Sequence, residues 1–577
     1  MPRPNEAVEA VLLEYADLLS ILSEDPFKPR AYEKAARAVG GYNADVSTLD
    51  LKGILAIPSV GRSIGEKIHE FLSTGTIQTL EELREQIPDG VRQLTSIPGL
   101  GPKKAMTLYQ ELGIASVDQL LDAVEQHRLE GLRGFGAKTE ENILRGIAQV
   151  RESGGRVLVS VALDVAEELL SALTSGKTVQ QATYAGSLRR MAETIGDVDL
   201  LVASADPRSV MERFTSLPAV DRILASGETK SSVVTKMGLQ VDLRVVAPQV
   251  WGAALIYFTG SKAHNIRIRE MAVRKGLKLS EYGLFKAKGG KRIVAKTEED
   301  VYAHLGLPYI PPTLREDRGE VEAALEGDLP DLLQPKQIKG DLHTHTNLTD
   351  GLAPLEEMIE TAAALKYAYC AVTDHAPNLA MQRMTDDKIL EQRGRLRELQ
   401  TRYPRMVLLH GSELNVDPDG GVDWPAEFLA GFDVLVASVH SRFNQSKDEM
   451  TRRIVRAMEN PYVNVIGHPT ARLIGKRQPV EFDLEEVFKA AARTGTAMEI
   501  NAFPDRLDLK DEHILWAKRH GVKFAVNTDA HAPTHLSHMR FGVATAQRGW
   551  LTKDDVINAW PLAKLRRFLS KDGVAPR

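Results

Sequence analysis

The chain has 577 residues, of which 43% are hydrophobic and 26% are charged, with a net charge of −5 and a single cysteine, Cys370. At about 150 residues per domain, this length excludes a single core and suggests roughly three to five domains. The lone cysteine excludes an internal disulfide framework. Neither an apolar run of about 18 residues nor an amino-terminal signal pattern is found, so we expect a cytoplasmic protein without membrane contact.

Residues 1–150 show helical patterning interrupted by three similar glycine-containing turns. The turns are IPSVGRSIGEKI (57–68), IPGLGPKKAMTL (97–108) and LRGFGAKTEENI (132–143). Glycines let a ligand approach the backbone, and the free N–H groups of a following helix suit a phosphate. One such turn alone is typical of packing between helices. Three in one region favour a grip on nucleic-acid phosphates that does not read the bases.

These turns resemble the helix-hairpin-helix of DNA repair proteins. The first turn departs from that pattern, because Ser59 replaces its first glycine. In the other two turns the candidate DNA-binding residues are Gly99, Gly101, Lys103, Lys104, Gly134 and Gly136.

A second candidate site lies in GSLRRMAETIGDVDLLV (186–202). Strand side chains alternate between faces, so Asp197 and Asp199 point the same way and could hold two divalent cations for phosphoryl transfer. Asp242, alone in the apolar strand LQVDLRVV, is a candidate third ligand. For an isolated pair of this kind, a solvated edge strand is the alternative.

The residues upstream of the aspartates suit a triphosphate. Backbone and hydroxyl donors of Gly186 and Ser187 could contact it, and Arg190 could neutralise its charge. Gly196 permits a close approach just before the pair.

Charge is unevenly distributed after this site. Residues 251–297 hold 11 Lys or Arg against 2 Asp or Glu, whereas residues 313–333 hold 2 against 7. A basic segment in an acidic chain suggests a directional binding face, with a solvated charged surface as the alternative. The acidic, proline-bearing stretch 313–337 is expected to be a linker.

The motif around Asp197 is similar to the nucleotidyltransferase signature of family X DNA polymerases. YFTGSKAHNIRIREMA (257–272) and GLKLSEYGLF (276–285) resemble the thumb segment of that family, and AYEKAA (31–36) and GEKIHEFLSTG (65–75) resemble its amino-terminal eight-kilodalton domain. The resemblance covers about residues 1–312. It implies that Asp197, Asp199 and Asp242 bind metals and that Asp242 accepts the proton of the primer hydroxyl.

The same resemblance implies which residues select the nucleotide. Ser187 and Arg190 would hold the triphosphate, and Tyr257 would crowd a ribose 2′-hydroxyl. Phe258 and Gly260 would shape the wall beside the sugar. Asn265 would touch the incoming base.

Other positions carry roles or departures from the family pattern. Arg269 would brace the template. Lys67 matches the lysine that forms a Schiff base with an abasic sugar, and a lysine on a DNA-facing helix is the alternative. Gln240 stands where relatives often carry an arginine, so proton handling at Asp242 is expected to differ. His264 occupies a position at which relatives vary.

From Lys339 onward, short apolar strands alternate with helical segments, which predicts a βα series that closes on itself or stacks as a parallel sheet. The strands end in His, Asp, Glu or Asn, and the carboxyl ends of barrel strands build active sites. Any one of these histidines alone is more typical of a core, but the set indicates a metal centre. The candidate ligands are His343, His345, Asp350, His375, Glu413, His440, His468, Asp529 and His531. His410, His535 and His538 do not fit the series and are expected to be structural or surface residues.

This set resembles the polymerase-and-histidinol-phosphatase (PHP) domain over about residues 338–577. The resemblance implies three metals. The first would be held by His343, His345, Glu413 and Asp529, the second by Glu413, His440 and His468, and the third by Asp350, His375 and His531. Imidazole and carboxylate ligands suit Mn²⁺, Zn²⁺ or Fe. Asp341 and Asp374 are candidates to orient the ligands.

The expected fold is multidomain, α+β and α/β, with a helical helix-hairpin-helix region, a nucleotidyltransferase palm with a thumb, and a distorted βα barrel. The expected domains are 1–83 (eight-kilodalton-like), 84–152 (fingers), 153–250 (palm), 251–312 (thumb), 313–337 (linker) and 338–577 (PHP).

The expected function is a DNA polymerase that fills short gaps in repair, joined to a PHP phosphoesterase acting on DNA. The second activity would be that of a 3′–5′ exonuclease or 3′-phosphatase, with abasic-site cleavage in addition. The alternatives are a small-molecule phosphatase with a vestigial polymerase region and a non-catalytic DNA scaffold. We expect a monomer that binds gapped or primer-template DNA and deoxynucleoside triphosphates, with Mg²⁺ or Mn²⁺ in the polymerase site and three divalent metals in the PHP site.

Overall fold

The structure is a computed structural model that describes residues 4–571, apart from 23–26, 43, 88–90, 92–93, 96, 98–99, 127, 130, 133–134, 137–138, 141–142, 145–146, 148–154, 177 and 380–383. None of the helices in the described part of the chain has the length and apolar character needed to cross a bilayer.

The amino-terminal region is helical and shares one apolar core, which runs from Val8 to Ile147. Its first two helices pack side by side, with the rings of Tyr15 and Tyr32 stacked at 4.5 Å between centroids. The helices described here are α1 (Pro4–Leu22), α2 (Phe27–Gly40), α3 (Leu51–Leu55), α4 (Arg62–Thr74), α5 (Gln78–Gln86), α6 (Pro102–Leu112) and α7 (Val117–Glu125).

The first two glycine turns lead directly into α4 and α6. Gly61 and Gly101 are the residues that precede these helices, and Ser59 adopts a positive φ of 65° in the place of a glycine. A Cβ added at Gly101 or Gly136 would meet no atom of the described residues within 4 Å. Packing against the described residues therefore does not demand glycine there, which favours a role in ligand approach. Gly99 and Gly134 lie outside the described residues.

The palm is built on a mixed sheet in the order β2-β4-β7-β6-β5, whose central pair, β4 and β7, is parallel. Its buried face packs on two helices, α8 and α10, because the strands present Val198, Leu200 and Val202 toward them. The elements are β1 (Val157–Leu158), α8 (Val159–Thr174), β2 (Val179–Tyr184), α9 (Gly186–Arg189), β3 (Thr194–Ile195), β4 (Asp197–Ser204), α10 (Pro207–Thr215), β5 (Val220–Ser226), β6 (Lys230–Thr235) and β7 (Gln240–Val246).

The thumb follows as helices beside a small antiparallel sheet, in the order β10-β9-β8. Its elements are α11 (Trp251–Thr259), α12 (Lys262–Arg274), β8 (Leu277–Ser280), β9 (Gly283–Lys286), β10 (Arg292–Ile293) and α13 (Glu298–His304).

Residues 313–337, expected to be a linker, are packed against the thumb. They contain the helix α14 (Glu320–Glu326), and Leu314, Val321 and Ala324 join the thumb core. The guanidinium of Arg315 is fully buried and donates to Glu298 at 2.6 Å. Glu320 of the same segment is buried against His264 at 2.6 Å, so the acidic composition includes a buried charge as well as solvated ones. The domain boundaries themselves stay a prediction.

Among the described residues of the carboxyl-terminal half, seven parallel strands pair in chain order from β11 to β17. A parallel bridge between Thr344 and Ala530 brings the two ends of this sheet together, which makes a nearly closed barrel. The strands are β11 (Gly340–Asp341), β12 (Tyr369–Val372), β13 (Val407–Asn415), β14 (Val434–Ser438), β15 (Val465–Ile466), β16 (Ala497–Asn501) and β17 (Phe524–Asn527). The helices are α15 (Leu355–Ala364), α16 (Asp386–Gln400), α17 (Ala426–Leu429), α18 (Lys447–Glu459), α19 (Leu484–Thr494), α20 (Asp511–Arg519), α21 (Met539–Arg548) and α22 (Leu562–Leu569).

The barrel and the palm share an apolar contact. Leu507 and Phe541 of the barrel half, each 2% exposed, belong to the palm core. An ion pair between Arg472 and Glu193, at 2.7 Å, flanks this contact. The two halves are therefore joined by packing as well as by the chain.

We expect the buried ion pair of Arg315 to be essential for stability. Arg315→Met keeps most of the side-chain volume but leaves Glu298 with one arginine partner fewer, and breaking a buried pair costs about 3–5 kcal/mol. Thermal unfolding should shift clearly downward. The matched control is Arg208→Met, whose pair with Glu212 is exposed and worth about 0–1 kcal/mol. Equal shifts in the two variants would contradict this assignment.

Candidate active sites

Three carboxylates meet on one face of the palm sheet. In the parallel pairing of β4 and β7, Asp199 lies opposite Asp242 and Asp197 opposite Gln240. Because side chains alternate along each strand, Asp197, Asp199 and Asp242 all project to the same side. The structure thus brings together the three acids that the sequence selected.

The pKa values of Asp199 and Asp242 shift in opposite directions. Burial, with the like charges of Asp197 and Asp242, raises the pKa of Asp199 to about 7. Burial also acts to raise the pKa of Asp242, but hydrogen bonds from Gln240, Ser232 and Lys230 outweigh it and lower that pKa. Gln240 donates to Asp242 at 3.0 Å, so the glutamine that departs from the family pattern contacts the third acid directly.

Gly186 is required at its position. It has a positive φ of 58°, and a Cβ there would overlap the Asp199 carboxylate. Ser187 lies in the short helix α9 and Arg190 directly follows it, and Arg190 is close enough to Asp199 to oppose the rise in the pKa of that acid. Gly196 immediately precedes Asp197 at the start of β4.

Arg190 has partners that the sequence did not indicate. It donates to Glu316 at 3.1 Å and to the carbonyl of Thr259 at 2.6 Å. Arg548 of the barrel half donates in turn to Glu316 at 2.7 Å and to the Arg190 carbonyl at 2.8 Å. The arginine expected to hold a triphosphate is thereby linked to the carboxyl-terminal half.

The thumb residues expected to select the nucleotide lie at the end of α11 and on α12. The Tyr257 and Phe258 rings meet edge to face at 5.2 Å, and Asn265 donates to the Tyr257 carbonyl at 2.7 Å. Gly260 has a positive φ of 70°, and a Cβ there would lie 3.1 Å from Arg190 Nη1. Arg269 is exposed on α12.

Two further sequence candidates have defined surroundings. His264 is buried between Glu320, at 2.6 Å, and the Tyr302 hydroxyl, at 2.9 Å, which indicates a structural role. The Lys67 ammonium lies 5.7 Å from the centroid of the Tyr15 ring, while Arg62 pairs with Glu66 at 3.0 Å. The Schiff-base role of Lys67 stays a prediction.

The nine candidate ligands of the barrel converge at the carboxyl ends of its strands. Glu413 is central, because its two carboxylate oxygens lie 2.9 Å from His468 Nε2, 3.1 Å from His440 Nε2 and 2.9 Å from His375 Nδ1. Three groups of ligand atoms are close enough to hold a cation: His345, Asp350, His375 and His531; His343, His345 and Asp529; and His375, Glu413 and His440. These groups differ from the expected ligand sets. His345 and His375 each belong to two groups, Glu413 belongs to only one, and His468 belongs to none.

The ligand atoms fit a metal cluster. Ring nitrogens of His343, His345, His375 and His468 and one oxygen of Asp350 are buried without a well-aligned hydrogen bond to any described residue, even where a carboxylate is as close as Glu413 is to His375 Nδ1. Unpaired buried polar atoms are costly, whereas a divalent cation would satisfy several at once.

The carboxylates and histidines of this cluster stabilise each other's charged forms. Burial alone would lower the pKa of His343, but Glu499, Asp529 and Glu413 raise it well above its usual value. The surrounding histidines in turn hold the pKa of Glu413 well below its usual range, although burial opposes this.

Sequence reasoning missed two residues that orient ligands. Glu499 on β16 accepts from His343 Nδ1 at 2.8 Å, and Asn415 on β13 lies 2.8 Å from His440 Nδ1. Such partners fix ring orientation. Glu499 could have been noticed as a lone acid in the apolar strand TAMEINA. Asp341 and Asp374, expected to orient ligands, bond to the ligand-bearing segments. Asp341 accepts from Thr528 and from the backbone N–H of the ligand His343, and Asp374 accepts from Thr346.

The three histidines expected to be structural or surface residues also lie outside the three ligand groups. His410 is buried and stacks on Phe432 at 4.9 Å, consistent with a structural role. His535 and His538 are half-buried and stack on each other at 5.2 Å.

A helical region with glycine turns, a palm with three acids and a barrel with a histidine-rich cluster define a two-centre phosphate-processing protein. Family comparisons match a helix-hairpin-helix domain at residues 3–77, a SAM-like helix-hairpin-helix tandem at 91–149, a DNA polymerase beta thumb at 254–316 and a PHP domain at 341–503. The predicted fold class is confirmed.

Similar proteins cover both halves. The DNA polymerase/3′-5′ exonuclease PolX of Bacillus subtilis (strain 168) is 36% identical over 557 residues, which is 96% of this chain and 97% of that protein. DNA polymerase lambda of Rattus norvegicus is 27% identical over 51% of this chain and 53% of its own length. A probable phosphatase of Thermoanaerobacter sp. (strain X514) is 29% identical over 40% of this chain and 94% of its own length. The chain belongs to the family X DNA polymerases that carry a carboxyl-terminal PHP domain.

The raised pKa of Asp199 predicts a pH-dependent stability in the metal-free protein. An unfolded aspartate titrates at about 3.9, so the stability linked to the Asp199 proton is full below about pH 4 and is lost as pH rises through about 7. We expect metal-free Asp199→Asn to lose less thermal stability than wild type between about pH 5 and 8. Thermal unfolding in EDTA measures this. Asp221→Asn, exposed in the same sheet, should follow wild type; if Asp199→Asn does so too, the proton is not held there.

Proposed function

We propose that this protein is a gap-filling DNA polymerase whose PHP barrel removes nucleotides or phosphate from DNA 3′ ends. One observation carries the proposal: similarity to a polymerase/exonuclease over 96% of the chain coincides with two separate acid-containing centres. Its substrates would be gapped or primer-template DNA and deoxynucleoside triphosphates. Abasic-site cleavage would be an additional reaction of the barrel.

In the palm, the acids would bind the cations and the glycine turn would position the triphosphate. Asp197 and Asp199 would hold Mg²⁺ or Mn²⁺, which when bound stabilises the charge that develops on the transferred phosphate. The backbone and hydroxyl of Gly186 and Ser187 would position the triphosphate. Asp242 would accept the proton of the primer hydroxyl, and because Gln240 and Lys230 already donate to it, it would be a weak base.

Arg190 would bind the triphosphate only after breaking its hydrogen bond to Glu316. Its Nε donates to Glu316, which also accepts from Arg548. A triphosphate is the more highly charged acceptor, and Glu316 would keep Arg548 as a partner when Arg190 turns toward it. Tyr257, Phe258 and Gly260 would form the wall beside the sugar.

In the barrel, the nine ligands would hold up to three divalent cations, of Mn²⁺, Zn²⁺ or Fe, which when bound supply an activated water. Glu413 would be shared between cations, since its two oxygens face different histidines. Glu499 and Asn415 would fix the rings of His343 and His440. These residues would thus present a rigid set of ligands to a phosphodiester.

We expect synthesis and cleavage to be separable by mutation. Asp197→Ala with Asp199→Ala should abolish primer extension and leave cleavage of 3′ ends intact, because the barrel ligands are on a different sheet. His343→Ala with His345→Ala should have the opposite effect. Extension and end shortening, measured on each purified variant with Mn²⁺, test this.

Histidine loss could destabilise a metal-dependent fold, so a control is needed. His410→Ala removes an equally buried barrel histidine outside the cluster and should keep cleavage. If the palm variant loses cleavage as fully as extension, the two-centre proposal fails. If wild type binds DNA but performs neither reaction, a DNA scaffold is the better description. Cleavage of small phosphate esters alone would favour the phosphatase alternative.

The helix-hairpin-helix turns should bind DNA through phosphates. Lys103→Glu with Lys104→Glu should weaken binding and flatten the slope of log affinity against log salt by about 1–2, since two fewer counterions are released. Sequence preference should not change. Lys553→Glu with Lys564→Glu in the barrel half applies the same charge change as a control. An unaltered slope for the first pair would leave the turn as a packing element.

A further inference from the structure

Three rings beside the barrel cluster form a surface that the proposed chemistry does not use. Phe503 contacts the rings of both His535 and His538 edge to face, at 5.0 Å in each case, and the two histidines stack at 5.2 Å. All three residues are partly buried and keep some exposure to solvent. We call Phe503, His535 and His538 the aromatic ledge.

The aromatic ledge is fixed to the metal ligands. The Phe503 N–H donates to Asn501 Oδ1 at 3.0 Å, and Asn501 Nδ2 donates to the ligand Asp529 at 3.1 Å. On the other side, the N–H of the ligand His531 donates to His535 Nδ1 at 3.3 Å. The ledge is therefore one side chain away from the ligand Asp529 and in direct contact with the ligand His531.

A cation lies in the same turn. Arg506, three residues after Phe503, places its Nε 3.7 Å from Asp529 Oδ2. Its Nη1 is buried and has no hydrogen-bond partner among the described residues. A guanidinium with an unused donor beside a carboxylate ligand suits a phosphate oxygen.

We infer that the aromatic ledge binds the base of the 3′-terminal nucleotide while Arg506 faces its phosphate, an inference that rests on the proposed end-cleaving function. Partly exposed rings next to a centre that would process phosphodiesters offer a nucleobase a surface on which to stack. Stacking on such rings does not depend on which base is present, as removal of successive nucleotides requires.

Stacking explains these rings better than metal binding does. The ledge histidines belong to none of the groups of described residues whose ligand atoms lie close together, and His535 Nδ1 already accepts the His531 N–H. Their rings lie parallel at 14°, an arrangement that suits stacking rather than convergence of nitrogens on a cation.

The test compares a normal 3′ end with one that lacks a base. Phe503→Leu keeps an apolar side chain but removes the ring. With Mn²⁺ and a single-stranded oligonucleotide, we expect kcat/KM for a normal terminal nucleotide to fall roughly tenfold, as for loss of one stacked base. For a terminal tetrahydrofuran abasic residue, kcat/KM should hardly change. Trp516→Leu, which removes an exposed ring from α20 of the same barrel half, is the matched control and should preserve both rates.

A binding measurement separates this inference from the cleavage reaction. In EDTA, an oligonucleotide ending in 2-aminopurine should be quenched on binding to wild type and less so on binding to Phe503→Leu. His538→Leu, whose Nδ1 has no hydrogen-bond partner to lose among the described residues, should behave likewise and replaces Phe503→Leu if that variant fails to fold. Equal quenching and an unchanged ratio of the two rates would overturn the inference. If wild type cleaves neither end, the proposed function fails, and the quenching still decides whether the ledge binds a base.

Discussion

The arrangement of the polymerase half depends on the ion pairs that two arginines make with the buried carboxylate of Glu298. Arg189 from the palm donates to both its oxygens, at 2.8 and 2.6 Å, and Arg315 from the segment leading to the barrel donates at 2.6 Å. Burial alone would raise the pKa of Glu298, but these arginines lower it, so it remains charged. A buried charge is tolerated only with such partners. Because Arg189 and Arg190 are neighbours, this pairing also fixes the turn that would receive the triphosphate.

The two centres reduce the repulsion between neighbouring carboxylates in different ways. The palm site gathers three carboxylates and relieves their repulsion by raising the pKa of Asp199 to about 7. The barrel site mixes carboxylates with histidines, so the pKa of Glu413 and Asp529 falls well below the usual range while that of His375 rises. Without metal, the barrel ligands can therefore hold one another in place as ion pairs, whereas the palm acids need a proton or a cation. The barrel cluster should be the better preorganised of the two.

The sequence predicted what depends on local spacing. Asp197, Asp199 and the barrel histidines were found because strand alternation and strand ends place them, and the βα pattern predicted the barrel. The packed state of residues 313–337 was not predicted, since acidic composition does not reveal that Arg315 and Glu320 are buried. The partners of Arg190 were also missed, because Glu316 and Arg548 lie 126 and 358 residues away along the chain. Contacts between residues so far apart along the chain produce no spacing pattern that a single sequence could reveal.

The segment 501–510 connects the two centres physically. Its Arg506 faces the barrel ligand Asp529, while the next residue, Leu507, is buried in the palm core. Arg472 secures this segment by donating to the carbonyls of Arg506 and Leu507, and it also pairs with Glu193 of the palm. Rotation of the palm against the barrel would expose Leu507 and Phe541 and would pull Arg506 away from the cluster. The cost of exposing two large apolar side chains, about 3–6 kcal/mol together, opposes such a rotation. A DNA end that is extended in the palm and trimmed in the barrel would therefore have to move between two centres held at a fixed separation.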